Sequence, residues 1–184
     1  SKCRICKSDK IKKILDLGVQ AFTGKFSTSY KKNISKSPLS ISLCLKCKFV
    51  QLSHNFSSSY LYNHEYGYES GINSTMKNHL FKIAQKVVEL KKLTKSSIVV
   101  DIASNDGTLL NSYNKDIIKV GIDPILDKFK DKYQKINHKV SDFFSYKNFK
   151  KLNLKKKADV ITALAVFYDI NDPNKFLSDI KKCL

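Results

Sequence analysis

Four of the chain's five cysteines fall in two pairs of identical spacing, Cys3-Arg4-Ile5-Cys6 and Cys44-Leu45-Lys46-Cys47, with 37 residues between them. A Cys-x2-Cys knuckle sets two thiolates at the angle a tetrahedral metal needs, and two knuckles together can close a four-sulfur zinc site. The alternatives are two disulfides or four free thiols. Disulfides need an oxidising compartment. The sequence shows no charged-then-apolar secretory leader, so a cytoplasmic chain is expected. With all four positions taken by protein, the metal would hold the fold and do no chemistry. Cys183 stands apart and is expected to be buried.

The sequence between the knuckles reads as β-rich. "KKILDLGVQAF" is strand-like up to Gly18, and "LSISLCLKCKFVQL" suggests a strand, a knuckle and a second strand. A module of residues 1–55 has too little apolar bulk for a good core of its own, which gives a metal its purpose.

Residues 56–95 read as a connector followed by a helix. Tyr60, Tyr62, Tyr66 and Tyr68 lie among Ser59, His64, Glu65 and Ser70. Such hydroxyl-bearing rings either line a ligand pocket or pack the connector onto the main domain. Met76, Leu80, Ile83, Ala84, Val87, Val88 and Leu90 then recur at helical spacing, with Asn73 or Ser74 as N-cap. That predicts an amphipathic helix of roughly 18 residues. His79 lies on it, one turn from Met76, as a surface or packing histidine.

Residues 96–184 alternate between strands and helical segments. "SIVVDIA" is almost continuously apolar, as a strand covered on both faces would be. "IIKVGID", "INHKVSDFF" and "KADVITALAVF" supply three more strands. Residues 107–115, 125–134 and 146–153 are of helix length, and a last helix starts at Asp172 or Pro173. The pattern predicts an α/β fold with a doubly wound parallel sheet, Rossmann-like, which binds ligands at the carboxyl ends of its strands. Three of those ends are polar: Ser104-Asn105-Asp106-Gly107, then Asp123, then Asp142 with Phe143. Each acid taken singly could be an N-cap or loop residue. Together they suit an adenosine ligand, with Asp123 accepting from a ribose diol and Asp142 and Phe143 meeting adenine. A dinucleotide fingerprint needs three glycines, whereas only Gly107 is present and Asp106 would repel a phosphate. A cationic cofactor without phosphate, S-adenosylmethionine, fits better, its sulfonium and ammonium lying near Asp101 and Asp106.

The formal charge is +18, yet 33 of the 34 basic residues are lysine and only Arg4 is arginine. Nucleic-acid readers rely on arginine forks. Evenly spread lysines read first as solvated surface, then as weak attraction for a phosphorylated substrate, and last as a nucleic-acid interface. No specific nucleic-acid partner is expected. No apolar run of about 18 residues is present to span a membrane.

Cys3-x2-Cys6, "LGVQAF", Cys44-x2-Cys47, "VQLSH", "YGYESGINSTMKNHL", "VVDIASNDGTLL", "VGIDP" and "AVFYDINDPNKFL" occur in this order along the chain. In these motifs the chain resembles class I S-adenosylmethionine-dependent methyltransferases with an N-terminal zinc-binding domain. It is most similar to the nucleotide-sugar C-methyltransferases of deoxysugar pathways. The resemblance implies that Ser104, Asn105, Asp106 and Gly107 hold the methionine part of the cofactor. It places Asp123 and Pro124 at the ribose and Asp142 and Phe143 at the adenine, with Ala163 at the fourth strand end. Tyr68, Ser70, Thr75 and Met76 would close over the cofactor. Three positions depart from the family pattern: Ala103 stands where glycine is usual, Ala165 replaces an asparagine, and Asp169 replaces a histidine. The implied reaction removes a proton beside a ketone, and the resulting enolate takes the methyl group. Tyr68, His79, Tyr168 and Asp169 are the candidate pocket groups, with Asp169 able to stand in for the missing histidine as base. Methylation at O or N of another small molecule or polysaccharide precursor is the alternative. A zinc-containing nucleic-acid-binding protein is the remote one. The family's sheet has further strands, so residues 96–184 are expected to form an incomplete domain.

Overall fold

Small serines alternate with apolar residues along Lys36–Cys44, which assigns Ser40, Ser42 and Cys44 to one face of a strand and Leu39, Ile41 and Leu43 to the other. A computed structural model, describing residues 2–22, 29 and 34–184, shows the serine face to be the buried one. Strands β1 (Ile11–Ala21), β2 (Lys36–Cys44) and β3 (Val50–Leu52) form an antiparallel sheet in the order β1-β2-β3. β1 runs past Gly18, where the sequence suggested an end. Register shifts between Lys13 and Leu15 and between Asp16 and Val19 bulge the strand, and Gly18 absorbs the second shift at φ +68°. The Asp16 carboxylate accepts the Gly18 amide at 2.9 Å and fixes that bulge. A short helix, α1 (Ser58–Leu61), follows.

Two compact units are present: Ser1–Gly67 with Asp169–Phe176, and Tyr68–Tyr168 with Leu177–Leu184. The second begins with helix α2 (Ser74–Lys91), the 18-residue helix expected from the periodicity. Asn73 caps it, its side chain accepting the Thr75 and Met76 amides at 2.8 and 3.2 Å. Lys92 ends it in the left-handed region.

Strands β4 (Ile98–Ile102), β5 (Ile118–Ile122), β6 (His138–Val140) and β7 (Val160–Thr162) form a parallel sheet in the order β6-β5-β4-β7. All five residues of central β4 are buried, as its apolar run predicts, while edge strand β7 is half-buried. The α/β architecture with a doubly wound-type parallel sheet and an N-terminal four-cysteine cluster agrees with the sequence reading. The connecting helices are shorter than expected. Helix α3 spans Thr108–Asn111, Leu126–Tyr133 is a 3-10 helix kinked at Phe129, and α4 spans Tyr146–Lys150. Ser112 helps to stop α3, its hydroxyl donating back to the Thr108 carbonyl at 2.9 Å. Helix α5 spans Pro173–Cys183, and the Cys183 carbonyl accepts the Ala158 amide at 2.9 Å just before β7. Cys183 is buried, as expected, and burial pushes its thiol up to about 11. Among the described residues no helix is long and apolar enough to cross a membrane.

Candidate functional site

The two knuckles fold identically. Lys7 and Lys48 both take positive φ, 59° and 65°, and their amides donate to the Cys3 and Cys44 carbonyls at 3.0 and 2.9 Å. The Cys3 and Cys44 amides donate in turn to the Ser8 and Phe49 carbonyls at 2.8 and 2.9 Å. The result converges four thiols. Cys3 and Cys47 sulfurs are 3.5 Å apart, Cys6 and Cys44 sulfurs 3.6 Å, and all four lie within 4.8 Å of one another. Four sulfurs at about 2.3 Å from a tetrahedral zinc sit about 3.8 Å apart, so the four cysteines are positioned for zinc. The Cys47 amide, donating to the Cys44 sulfur, holds the Cys44 thiol down to about 6 and favours the thiolate a metal needs.

The same unit contains a brace that the spacing of residues did not announce. Arg4, inside the first knuckle, donates its amide to Gln51 Oε1 at 2.8 Å, and its guanidinium reaches the His54 carbonyl at 3.2 Å and the Asn55 side chain. Asp169, expected as a candidate base, belongs to this unit. Its carboxylate accepts the Tyr62 hydroxyl, and burial raises its pKa against that bond and, less strongly, against the charge of Arg4.

The second site gathers at the carboxyl ends of β4, β5 and β7. After β4 the backbone turns through Ala103 at φ +57°, Asn105 at +51° and Gly107 at +74°. Only Gly107 takes this conformation without a side-chain penalty. A Cβ there would also lie 2.8 Å from Ile136 Cδ1. Ala103→Gly is therefore expected to stabilise the fold by about 1 kcal/mol. The check is a higher urea midpoint at an unchanged slope.

Asp101, Ser104, Asn105, Asp106 and Asp123 are all buried. Asp123 joins the ends of β4 and β5, because its carboxylate accepts the Asn105 and Ile125 amides, each at 2.8 Å. Burial raises its pKa, and those two amides oppose the rise. Asp101 accepts the Thr162 hydroxyl at 2.6 Å, which links β4 to β7. Burial pushes Asp101 up to about 7, partly countered by Thr162 and reinforced by the charge of Asp123. Asp106 is filled by the protein's own donors, the Gly71 amide at 2.7 Å and the Thr108 hydroxyl at 2.7 Å.

Tyr133 supports the turn and carried no signal in the sequence. It is fully buried, and its hydroxyl donates to the Asn105 carbonyl at 2.7 Å and lies 2.8 Å from the Ser104 hydroxyl. Gly121 makes room for it, since a Cβ there would approach the Tyr133 ring to 2.7 Å. Tyr68 and Ser70 also meet the turn, through backbone groups bonded to Asn105. Pro124 and Ala163 are half-buried at their strand ends. Asp142 and Phe143 are exposed and form their own loop, where Asp142 accepts the Phe143 amide at 2.7 Å and the Asn148 side chain at 2.8 Å. On α2, Thr75 and His79 are exposed and Met76 is half-buried, while Tyr168 is 68% exposed beyond β7.

Residues 3–62, about a third of the chain, match the family Methyltransf_13, described as "Putative zinc binding domain". The matched stretch contains all four clustered cysteines and so resembles a methyltransferase-associated zinc-binding module. No curated protein matches the chain.

Proposed function

We propose that the chain is an S-adenosylmethionine-dependent methyltransferase acting by C-methylation on a nucleotide-linked keto sugar. One observation carries the cofactor half of this reading. Asp101, Asp106 and Asp123 lie buried at the carboxyl ends of a parallel sheet, around a turn that lacks the glycines a pyrophosphate needs. Ligands of such sheets bind at those ends. Acidic side chains at these ends disfavour a phosphate, and Asp123, whose carboxylate takes only two backbone amides, keeps lone pairs for a ligand's hydroxyl donors. The methyltransferase-associated module at the N-terminus supports the same reading from a separate part of the chain.

The cofactor would supply an electrophilic methyl group. Asp123 would accept the ribose hydroxyls on lone pairs that its two backbone amides leave available. Ser104 and Asn105, held by Tyr133 and Asp123, would orient the methionine part. Phe143 would present its ring to the adenine. Tyr68 and Tyr168 bring exposed phenols on the same unit and would stand on the acceptor side. The zinc ion would hold the first unit and take no part in methyl transfer. The surplus of lysine would raise the local concentration of a phosphorylated acceptor.

Asp123→Ala is expected to weaken S-adenosylhomocysteine binding at least tenfold while zinc content and far-UV circular dichroism stay unchanged. Unaltered affinity in a folded variant would remove Asp123 from the ribose site.

A further inference from the structure

Residues 68–71 are fastened to the Ser104–Gly107 turn by groups from separate parts of the sequence. The Asn105 side chain donates to the Tyr68 carbonyl at 3.0 Å and accepts the Ser70 amide at 2.9 Å. Asp106 Oδ2 accepts the Gly71 amide at 2.7 Å. Lys132 Nζ forms an ion pair with Glu69 and lies 3.8 Å from Asp106 Oδ2. The Lys132 backbone is itself anchored, its carbonyl accepting the Asn111 side chain at 2.9 Å.

Gly71 is needed here for close approach. A Cβ at this position would sit 2.5 Å from Asp106 Oδ2 and 2.6 Å from Thr108 Oγ1. Lys132 is needed for charge. The Asp106 side chain is 1% exposed and that of Glu69 22% exposed, so water screens neither carboxylate fully. Without the lysine, two poorly solvated negative groups would face each other across the strap, and like charges in that setting repel.

We propose that Glu69, Gly71 and Lys132 form a clasp holding residues 68–71 against the turn, with Lys132 the positioning residue that sets affinity for the cofactor. The cofactor half of this proposal rests on the S-adenosylmethionine reading above, whereas the clasp itself does not. The strap holds Asn105 by both ends of its side-chain amide. Asn105 in turn places its backbone amide on Asp123. Loosening the strap therefore loosens the turn where the methionine part would lie.

The test compares Lys132→Met, Lys132→Arg and Gly71→Ala with the wild-type chain, all zinc-loaded. Amide hydrogen exchange at Ser70 and Gly71 is read first, and S-adenosylmethionine affinity by calorimetry second. Lys132→Met and Gly71→Ala are expected to speed exchange at both amides at least tenfold and to weaken binding at least tenfold. Lys132→Arg keeps the charge and the reach, and is expected to stay within threefold on both readouts. Unchanged exchange in both disruptive variants overturns the clasp. Faster exchange with unchanged affinity overturns the positioning role. A wild-type chain that protects both amides but binds no S-adenosylmethionine upholds the clasp and overturns its cofactor half.

Discussion

Replacing Cys44 by serine is expected to abolish zinc binding and to unfold the cysteine-bearing unit, while residues 68–168 keep their structure. The reason is what lies beneath the three-stranded sheet. Among the described apolar residues of that unit only Cys3, Cys44 and Phe176 are buried, and the inner face of β2 carries Ser40 and Ser42 beside Cys44. That face offers almost no hydrophobic stabilisation. Hydrogen bonds such as Ser42 to Ser53 at 2.6 Å, and Arg4 to Gln51 at 2.8 Å, organise the module, but net contributions of about 1 kcal/mol each do not replace a core. A structural zinc contributes on the order of 10–16 kcal/mol at neutral pH. Its loss leaves the module nothing comparable. Zinc per chain should fall from about one to near zero, because the remaining three thiolates lose the fold that holds them together once the module opens. Amide exchange across β2 and β3 should approach that of an unfolded chain. A strong chelator should reproduce the effect in the unsubstituted protein. Persistent protection of β2 in a zinc-free sample would show that the module stands without metal.

Asp101→Asn is expected to stabilise the second unit by about 3–4 kcal/mol above pH 8 and to have little effect near pH 4. The sign follows from the direction of the shift. In the unfolded chain Asp101 ionises near 3.8, and in the fold burial pushes it up to about 7. Below the lower value both states hold the proton, and the group costs nothing. Between the two values the unfolded chain ionises first, so stability falls as pH rises. Above about 7 the folded state carries a buried charge, and the full penalty is present. Asparagine keeps an acceptor for the Thr162 hydroxyl, whose bond to Asp101 is 2.6 Å, and never ionises. Urea unfolding of residues 68–168, followed by exchange, at pH 4, 6 and 8.5 checks this. A stability gain of equal size at all three values would contradict it.

The zinc knuckles and the strands were legible because each is written in contiguous residues. Cys-x2-Cys fixes a local turn whatever surrounds it, and the run Ile98–Ile102 is apolar at four of five positions, so it had to be covered on both faces. Helix α2 was legible from Asn73 to its end because cap and stripe agree. What could not be read depends on contacts between distant segments. Tyr133 and Gly121 are complementary in shape, yet neither residue type signals the other. Gly71 reads as an ordinary turn glycine until Asp106 is found against it. Nor does the sequence announce that Gly71 and Thr108 donate to the Asp106 carboxylate. The bond from the Tyr62 hydroxyl to Asp169 joins residues 107 positions apart, so no local pattern could announce it. The short helices between strands escaped because Ser112 and the kink at Phe129 end elements whose composition permits longer ones.

On the S-adenosylmethionine reading, the acidic strand ends receive a cationic adenosyl cofactor. The most direct measurement is calorimetric titration of the zinc-loaded protein with S-adenosylmethionine, and in parallel with NAD, at low and high salt. Saturable one-to-one binding of S-adenosylmethionine is expected at both salt concentrations, and no binding of NAD. Binding of NAD, or no S-adenosylmethionine binding by a folded, zinc-loaded sample, would contradict it.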